Sequence, residues 1–158
     1  MNLPNPLRAI TIHPWWAFAI THGDKRVEYR TRPLPAHLVD VPIALHAGSA
    51  SGAFGKYGDS ERVWTARDLG APIDEWRAAG CPSSAFVAVV TFSGTFHGQW
   101  LPMRWRCAGF VGWQICGLSR LSTPCPAAGK QGFWTCTDEQ REAIVSGLGA
   151  LAAMEVTP

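Results

Sequence analysis

Three charged residues with the types and spacing of a recognition site stand at Lys25, Glu28 and Arg30. The alternation of residue types over 26–30 predicts a strand, and alternate residues of a strand share a face, so Glu28 and Arg30 should point the same way. Cationic neighbours keep a carboxylate ionised. Glu28 would then accept from the exocyclic amino group of a base, while Lys25 holds a phosphate or carbonyl oxygen. The alternative is a salt-bridge cluster that pins this strand to the preceding helix.

Aromatic side chains accompany these charges in two places. Trp15 and Trp16 begin an apolar segment that predicts a buried helix over 15–22. We expect one of them to pack in the core and Trp15 to line a cleft and stack on a base. The loop over 99–106, which contains Arg104 and Trp105, interleaves aromatic and basic residues as single-strand platforms do. The alternative for this loop is a hydrophobic lid with its arginines in solvent.

Two histidines and one lysine complete the set of candidate site residues. His13 and His46 stand at the ends of predicted strands. Either has the pKa range of a general base near neutral pH, although a lone histidine is more often a hydrogen-bonded structural residue. Lys130 lies in a glycine-flanked turn that could bind a phosphate through its ammonium and nearby backbone N–H groups. The alternative is an ordinary turn lysine.

The charges are unevenly distributed along the chain. The formal net charge is only +2, yet no acidic residue occurs between Glu75 and Asp138. That stretch contains five cations: Arg77, Arg104, Arg106, Arg120 and Lys130. Such segregation predicts a basic face that attracts phosphates. The alternative is that folding mixes the charges again.

Metal, cofactor and membrane association are not indicated. The five cysteines are odd in number and contain no C-x-x-C pair, and the five histidines contain no H-x-x-x-H pair. We therefore expect reduced cysteines and neither a metal nor another cofactor. The sequence contains no stretch of about 18 apolar residues, so it predicts no membrane-spanning helix. Residues 1–8 lack the apolar region of a signal peptide, so we expect a cytoplasmic location.

The pattern of elements predicts a single α+β domain. We expect a flexible tail over 1–8 and one domain over 9–158, with strands at 9–13, 26–30, 41–47, 85–96, 110–121 and 132–136. Two short helices are expected near 60–69 and 73–79, and a closing helix over 137–155, where Thr137 and Gln140 form a capping box. Several strands without regular strand–helix alternation predict a small, mostly antiparallel β-barrel with flanking helices.

The segment 23–30, Gly-Asp-Lys-Arg-Val-Glu-Tyr-Arg, resembles the G-x-K-x-x-E-x-R signature of ASCH domains, which are part of the PUA-like superfamily. Three further segments resemble the family in the same order. Residues 12–16 are similar to its Q-P-W segment, with His13 in place of the usual Gln. Residues 44–47 resemble its I-H-A strand end, and residues 129–134 its G-K-x-G-x-W segment. Residues 48–84 have no counterpart, so we interpret them as an insertion.

The resemblance implies a β-barrel with a cleft beside the signature, and nucleic acid as the class of partner. Some family members are enzymes: one type removes acyl groups from N4-acylated cytidine with a Lys and a Thr of the signature and a Glu elsewhere, and others are ribonucleases. In this chain the position of that Thr is Glu28. A carboxylate does not replace the hydroxyl, because acyl transfer to it would give a reactive mixed anhydride.

The sequence therefore favours a binding module that recognises RNA, single-stranded DNA or a modified nucleobase in a basic, aromatic cleft. The alternative is an enzyme that acts on RNA or a modified nucleoside, with Lys25 and Glu28 as its catalytic residues. The expected binding residues are Trp15, Lys25, Glu28, Arg30, His46, Arg104, Trp105 and Lys130.

Overall fold

A computed structural model describes residues 3–49, 82–96 and 110–154, with side chains described to 149. In these ranges the elements are β1 (Arg8–Ile12), α1 (Pro14–His22), β2 (Val27–Arg30), a short 3-10 helix (Ala36–Leu38), β3 (Ile43–Ala47), β4 (Ala85–Phe96), β5 (Val111–Pro126), β6 (Phe133–Thr135) and α2 (Asp138–Met154). The helices expected near 60–69 and 73–79 and the loop 99–106 lie outside the described residues. Neither α-helix in the described ranges is long and apolar enough to cross a membrane.

The six strands form one mixed sheet in the order β2-β5-β4-β3-β1-β6. Strands β1 and β3 are parallel, and the other four neighbouring pairs are antiparallel. A parallel pair needs a long crossover, which α1, β2 and the 3-10 helix provide between the two strands. The structure thus confirms an α+β fold with a mostly antiparallel sheet.

The sheet curls into a half-barrel. Trp113 of β5 stacks on Phe133 of β6, with ring centroids 5.4 Å apart and planes inclined by 8°, although β4, β3 and β1 separate these strands in the sheet. The register of β4 against β5 is irregular between Phe92 and Gly94, where Gly94 has a φ of 144°. Such bulges bend a strand and increase its twist, which brings distant strands face to face.

Helix α1 is buried because its residues are apolar on nearly all sides. Pro14 occupies the first helical turn, where its missing N–H costs nothing. The helix ends at Gly23, whose N–H donates to the carbonyl of Ala19. Seven of its nine residues are buried, and it packs against β3 and β4. The buried helix predicted over 15–22 is therefore confirmed.

Side chains alternate between two cores, one on each face of the sheet. Ile10 and Leu45 belong to the core that α1 covers, whereas their neighbours Ala9 and Ala44 belong to the core beneath α2. Helix α2 begins with the predicted capping box. The N–H of Thr137 donates to Gln140 Oε1 at 3.0 Å, and the N–H of Gln140 donates to Thr137 Oγ1 at 3.2 Å.

The N-terminal segment differs from the prediction of a flexible tail. Leu3 and Leu7 are buried in the core beneath α2, and Arg8 already begins β1. Arg141 of α2 donates to the carbonyls of Leu3 and Pro4. The prediction was wrong for residues 3–8, because burial of two leucines and these hydrogen bonds hold a proline-containing segment in place.

Candidate nucleic-acid interface

A cleft of about 580 Å³ lies where β1, β2 and β3 meet the turn before β6. All four segments that resemble the ASCH family contribute to it, although they lie far apart in the sequence. The lining residues are Thr11, Ile12, His13, Pro14, Glu28, Tyr29, Arg30, His46, Gly48, Ser49, Ser84, Gly129, Lys130, Gln131 and Gly132. Four of the expected binding residues, Glu28, Arg30, His46 and Lys130, are therefore brought together.

Glu28 is the centre of a charge cluster at this cleft. Its Oε1 lies 3.0 Å from Arg30 Nε, and its Oε2 lies 3.4 Å from Lys25 Nζ. The Glu28 side chain is only 8% exposed, and that of Lys25 4%. A carboxylate this deeply buried is stable as an anion only when cations compensate for its lost hydration. Glu28 and Arg30 share one face of β2, as the strand period requires.

Lys25 lies behind the cleft and not in it. Its ammonium donates to the carbonyl of Val27 and lies 5.6 Å from the ring centroid of Trp16 and 5.5 Å from that of Tyr29. The backbone explains this position, since Lys25 N–H donates to the carbonyl of Ala19 and continues the end of α1 inward. We expected Lys25 to meet a phosphate. In this structure it neutralises Glu28 from the interior side.

Trp15 also departs from its expected position. It is buried on α1 and is not among the residues that line the cleft. Its neighbour Trp16 is partly buried and is the ring that contacts the ammonium of Lys25. The rotation of α1 against the sheet decides which of two adjacent rings faces the core, and sequence order does not.

Arg30 is the most accessible member of the charge cluster. Its side chain is 28% exposed, its Nη2 donates to the carbonyl of Thr11 at 3.2 Å, and its guanidinium lies 5.7 Å from the ring centroid of Trp113. These contacts hold the guanidinium plane in one orientation. A fixed, planar fork of N–H donors at the edge of a cleft suits bidentate recognition of a phosphate or carboxylate.

His46 is buried and hydrogen-bonded through both ring nitrogens. Its Nε2 donates to the carbonyl of Ala127 at 2.9 Å, so the neutral ring has its lone pair on Nδ1, which lies 3.3 Å from Thr11 Oγ1. Trp134 Nε1 donates to the same hydroxyl oxygen at 3.2 Å. Burial lowers the pKa of His46 below its usual value of 6.5. The residue therefore joins β3 to the segment before the turn.

The turn that carries Lys130 is seated on His46. A Cβ on Gly129 would lie 2.5 Å from His46 Cε1, so only glycine fits at this approach. Gly132 has a φ of 70°, in the left-handed region that glycine adopts most readily. The ammonium of Lys130 lies 5.7 Å from the ring centroid of Trp134. The turn thus holds Lys130 at the cleft.

The electrostatic balance of the cleft is positive. Two cations, Arg30 and Lys130, line the cleft against one lining carboxylate, that of Glu28, and Lys25 adds a further positive charge behind the wall. His13, at the start of α1, also lines the cleft, and burial lowers its pKa, which favours the neutral imidazole at neutral pH. Throughout 3–49, 82–96 and 110–149, no group of three or more His, Cys, Asp or Glu side chains could hold a metal ion.

Two predicted binding residues cannot be placed, and one residue of the cleft was not predicted. Arg104 and Trp105 lie outside the described residues and stay predictions. Thr11 was not singled out by the sequence, because its role depends on the parallel pairing that sets it opposite His46. The only feature of the sequence near Thr11 that could have indicated its place in the cleft is that it carries a hydroxyl two positions before His13.

Comparisons with known proteins support the fold. No protein-family model matches the sequence, and no curated protein matches it. Solved structures of an ASCH protein from Zymomonas mobilis do match: the protein itself with a TM-score of 0.51 at 15% identity, and two mutant forms with TM-scores of 0.51 and 0.50 at 16% identity. The alignments cover 90%, 89% and 89% of this chain and 96%, 95% and 97% of those chains. The chain therefore has the α+β fold of these ASCH structures.

Proposed function

We propose that the cleft binds RNA, single-stranded DNA or a modified nucleobase. The observation that carries the proposal is the convergence of Glu28, Arg30 and Lys130 in one cleft of about 580 Å³ from two distant parts of the chain. A concave site with a few convergent polar groups is the usual form of a ligand pocket. The positive balance of the cleft selects anionic ligands.

Phosphate recognition is assigned to Arg30 and Lys130. Arg30 presents a planar set of N–H donors from β2, and Lys130 presents a compact charge from the turn before β6. The glycines on that turn leave its backbone accessible, so main-chain N–H groups add to the site. Two cations on separate elements fix both the position and the direction of a sugar–phosphate strand.

Base recognition is assigned to Glu28. Both carboxylate oxygens have a cationic partner, but each oxygen accepts more than one hydrogen bond. The ion pairs hold the Glu28 carboxylate at the cleft wall, where it accepts from an exocyclic amino group such as that of cytosine. The proposal thus predicts a preference for bases that carry an amino group.

Binding of short fluorescein-labelled oligocytidylate, measured by anisotropy at several salt concentrations, tests the proposal. Affinity should fall as salt rises, and Lys130→Ala should weaken binding and reduce the slope of log K against log salt by about one. Arg32→Ala is the matched control, because it removes one exposed positive charge outside the cleft. Absence of binding at low salt, or equal losses in the two variants, contradicts the proposed site.

One observation favours catalysis as a second candidate function. Thr11 lines the cleft with its hydroxyl 3.3 Å from the Nδ1 of neutral His46, whose Nε2 is held by the carbonyl of Ala127. A hydroxyl beside an oriented imidazole is the arrangement of an activated nucleophile. Chromatography of RNA and modified nucleosides incubated with the protein tests it. Catalysis is supported if the wild type turns over a substrate and Thr11→Val abolishes that turnover without loss of oligonucleotide affinity. Catalysis is rejected if the wild type shows no turnover.

A further inference from the structure

A second cavity of about 390 Å³ lies between α1 and β5, along α1 from Pro14 to His22. Its walls are mostly apolar, with Phe18 on α1 among them. Four polar side chains also line it: Thr21, His22, Arg120 and Ser122. An apolar cavity of this size with a few polar groups has the character of a site for a flat organic ring. None of the residues assigned to the phosphate or the base of the first cleft lines it.

Two stacked rings form one wall of this cavity. The rings of Phe18 and His22 lie 4.4 Å apart with planes inclined by 17°. Thr21 Oγ1 donates to the carbonyl of Ala17 at 2.8 Å, so its oxygen accepts from His22 Nδ1, also at 2.8 Å. The hydrogen bond and the stack together fix the plane of the imidazole. His22 itself is exposed, so a fixed aromatic surface reaches the solvent side of the cavity.

A positive charge stands at the rim of the same cavity. Arg120 projects from β5, where it is exposed. Within the described part of the chain its guanidinium makes no ion pair. It is one of the five cations in the acid-free stretch of the sequence. A ring-sized apolar cavity with an arginine at its mouth matches a nucleobase joined to its phosphate.

The second cavity adjoins the proposed cleft. Pro14 lines both. Pro82 lines the cavity and Ser84 lines the cleft. The N–H of Ser84 donates to the carbonyl of Gly48 at 3.0 Å, which holds the segment before β4 against the cleft wall. The two sites therefore share a boundary at Pro14, at the start of α1.

We propose that this cavity is a second base subsite, which takes the nucleotide next to the one held at Glu28. The neighbouring base enters against the Phe18–His22 wall, and its phosphate meets Arg120. This inference rests on the proposed function, and it specifies a single-stranded nucleic acid of two or more nucleotides as the ligand. A lone nucleoside or a base would occupy the first cleft only.

Isothermal titration with cytidine monophosphate and with tetracytidylate separates the two proposals. His22→Ala and Arg120→Ala should each weaken tetracytidylate binding about tenfold, as for loss of one base or phosphate contact, and leave binding of the monophosphate unchanged. Arg32→Ala again serves as the charge-matched control. Thermal melting of each variant verifies that the fold is intact.

The failure of either idea has its own result. If the wild type binds neither ligand, the proposed function itself is rejected. If the monophosphate binds and Lys130→Ala weakens it, but tetracytidylate binds no more tightly or ignores His22→Ala and Arg120→Ala, the first cleft stands and the second subsite is wrong. Equal losses for both ligands in Arg120→Ala also overturn the subsite, since they indicate a general electrostatic effect.

Discussion

Replacement of Glu28 by Gln removes the only anion of the charge cluster while it preserves the shape of the side chain. The ammonium of Lys25, on a side chain 4% exposed, would lose its ion pair, with little water available to replace it. Loss of one partner from a buried pair costs about 3–5 kcal/mol. Lys25 keeps its bond to Val27 and its contacts with two rings, and Arg30 is 28% exposed, so we expect the lower end, about 3 kcal/mol. For a chain of this size that lowers the melting temperature by roughly 10 °C.

Urea unfolding followed by tryptophan fluorescence measures this loss. Lys25→Met and the double variant Lys25→Met/Glu28→Gln complete a thermodynamic cycle. Because the double variant leaves no uncompensated lysine, it should be more stable than the sum of the single losses by about 1–3 kcal/mol. Oligonucleotide affinity, measured where Glu28→Gln is still folded, tests base recognition separately and should fall by roughly 1–3 kcal/mol.

Three results would refute the reasoning at distinct points. A Glu28→Gln variant with the wild-type urea midpoint would show that the carboxylate contributes no net stabilising charge. Additive losses in the cycle would show that Lys25 and Glu28 are not coupled. Destabilisation with unchanged affinity would leave Glu28 as a structural ion pair alone, the alternative that the sequence already raised.

Other predictions concern the remaining parts of the fold. Burial lowers the pKa of His46, so below pH 6.5 the unfolded chain binds more protons than the folded chain. The free energy of unfolding should therefore fall as pH falls through the folded-state pKa, and an unchanged urea midpoint across that window would contradict this. Gly129→Ala should destabilise the chain because its Cβ would meet His46, whereas Gly149→Ala, with nothing within 4 Å, should stabilise α2 by up to about 1 kcal/mol. Melting curves compare the two variants, and equal shifts in melting temperature would refute the close packing of the turn on His46. Burial raises the pKa of Cys136 to about 11, so iodoacetamide should modify exposed Cys116 faster than Cys136. Mass spectrometry of the labelled peptides measures the two rates, and equal rates would contradict the prediction.

Elements whose signals lie within a few consecutive residues were predictable from the sequence. The β-branched and aromatic run over 85–96 became β4 at Ala85–Phe96, and the capping box at Thr137 and Gln140 formed as expected. The strand period placed Glu28 and Arg30 on one face. Each of these outcomes depends on propensity, capping or periodicity inside a single element.

The positions of individual side chains relative to the cleft were decided by tertiary structure. Glu28, Arg30, His46 and Lys130 line it, whereas Trp15 is buried in α1. Lys25, like Trp15, points to the interior. The packing of α1 against the sheet decides which side of the helix, and of the turn that follows it, faces the core.

Long-range partners were beyond any local pattern. His46 donates to Ala127, 81 residues away, and Thr11 meets His46 only because β1 and β3 pair in parallel. The stack of Trp113 on Phe133 requires the whole sheet to curl. The sequence by itself determined which residues carry charge, hydroxyl and aromatic chemistry and which share a strand face. Contacts between elements determined which of those groups are neutralised in the core and which line the cleft, because burial and pairing depend on neighbours that the chain brings together only when it folds.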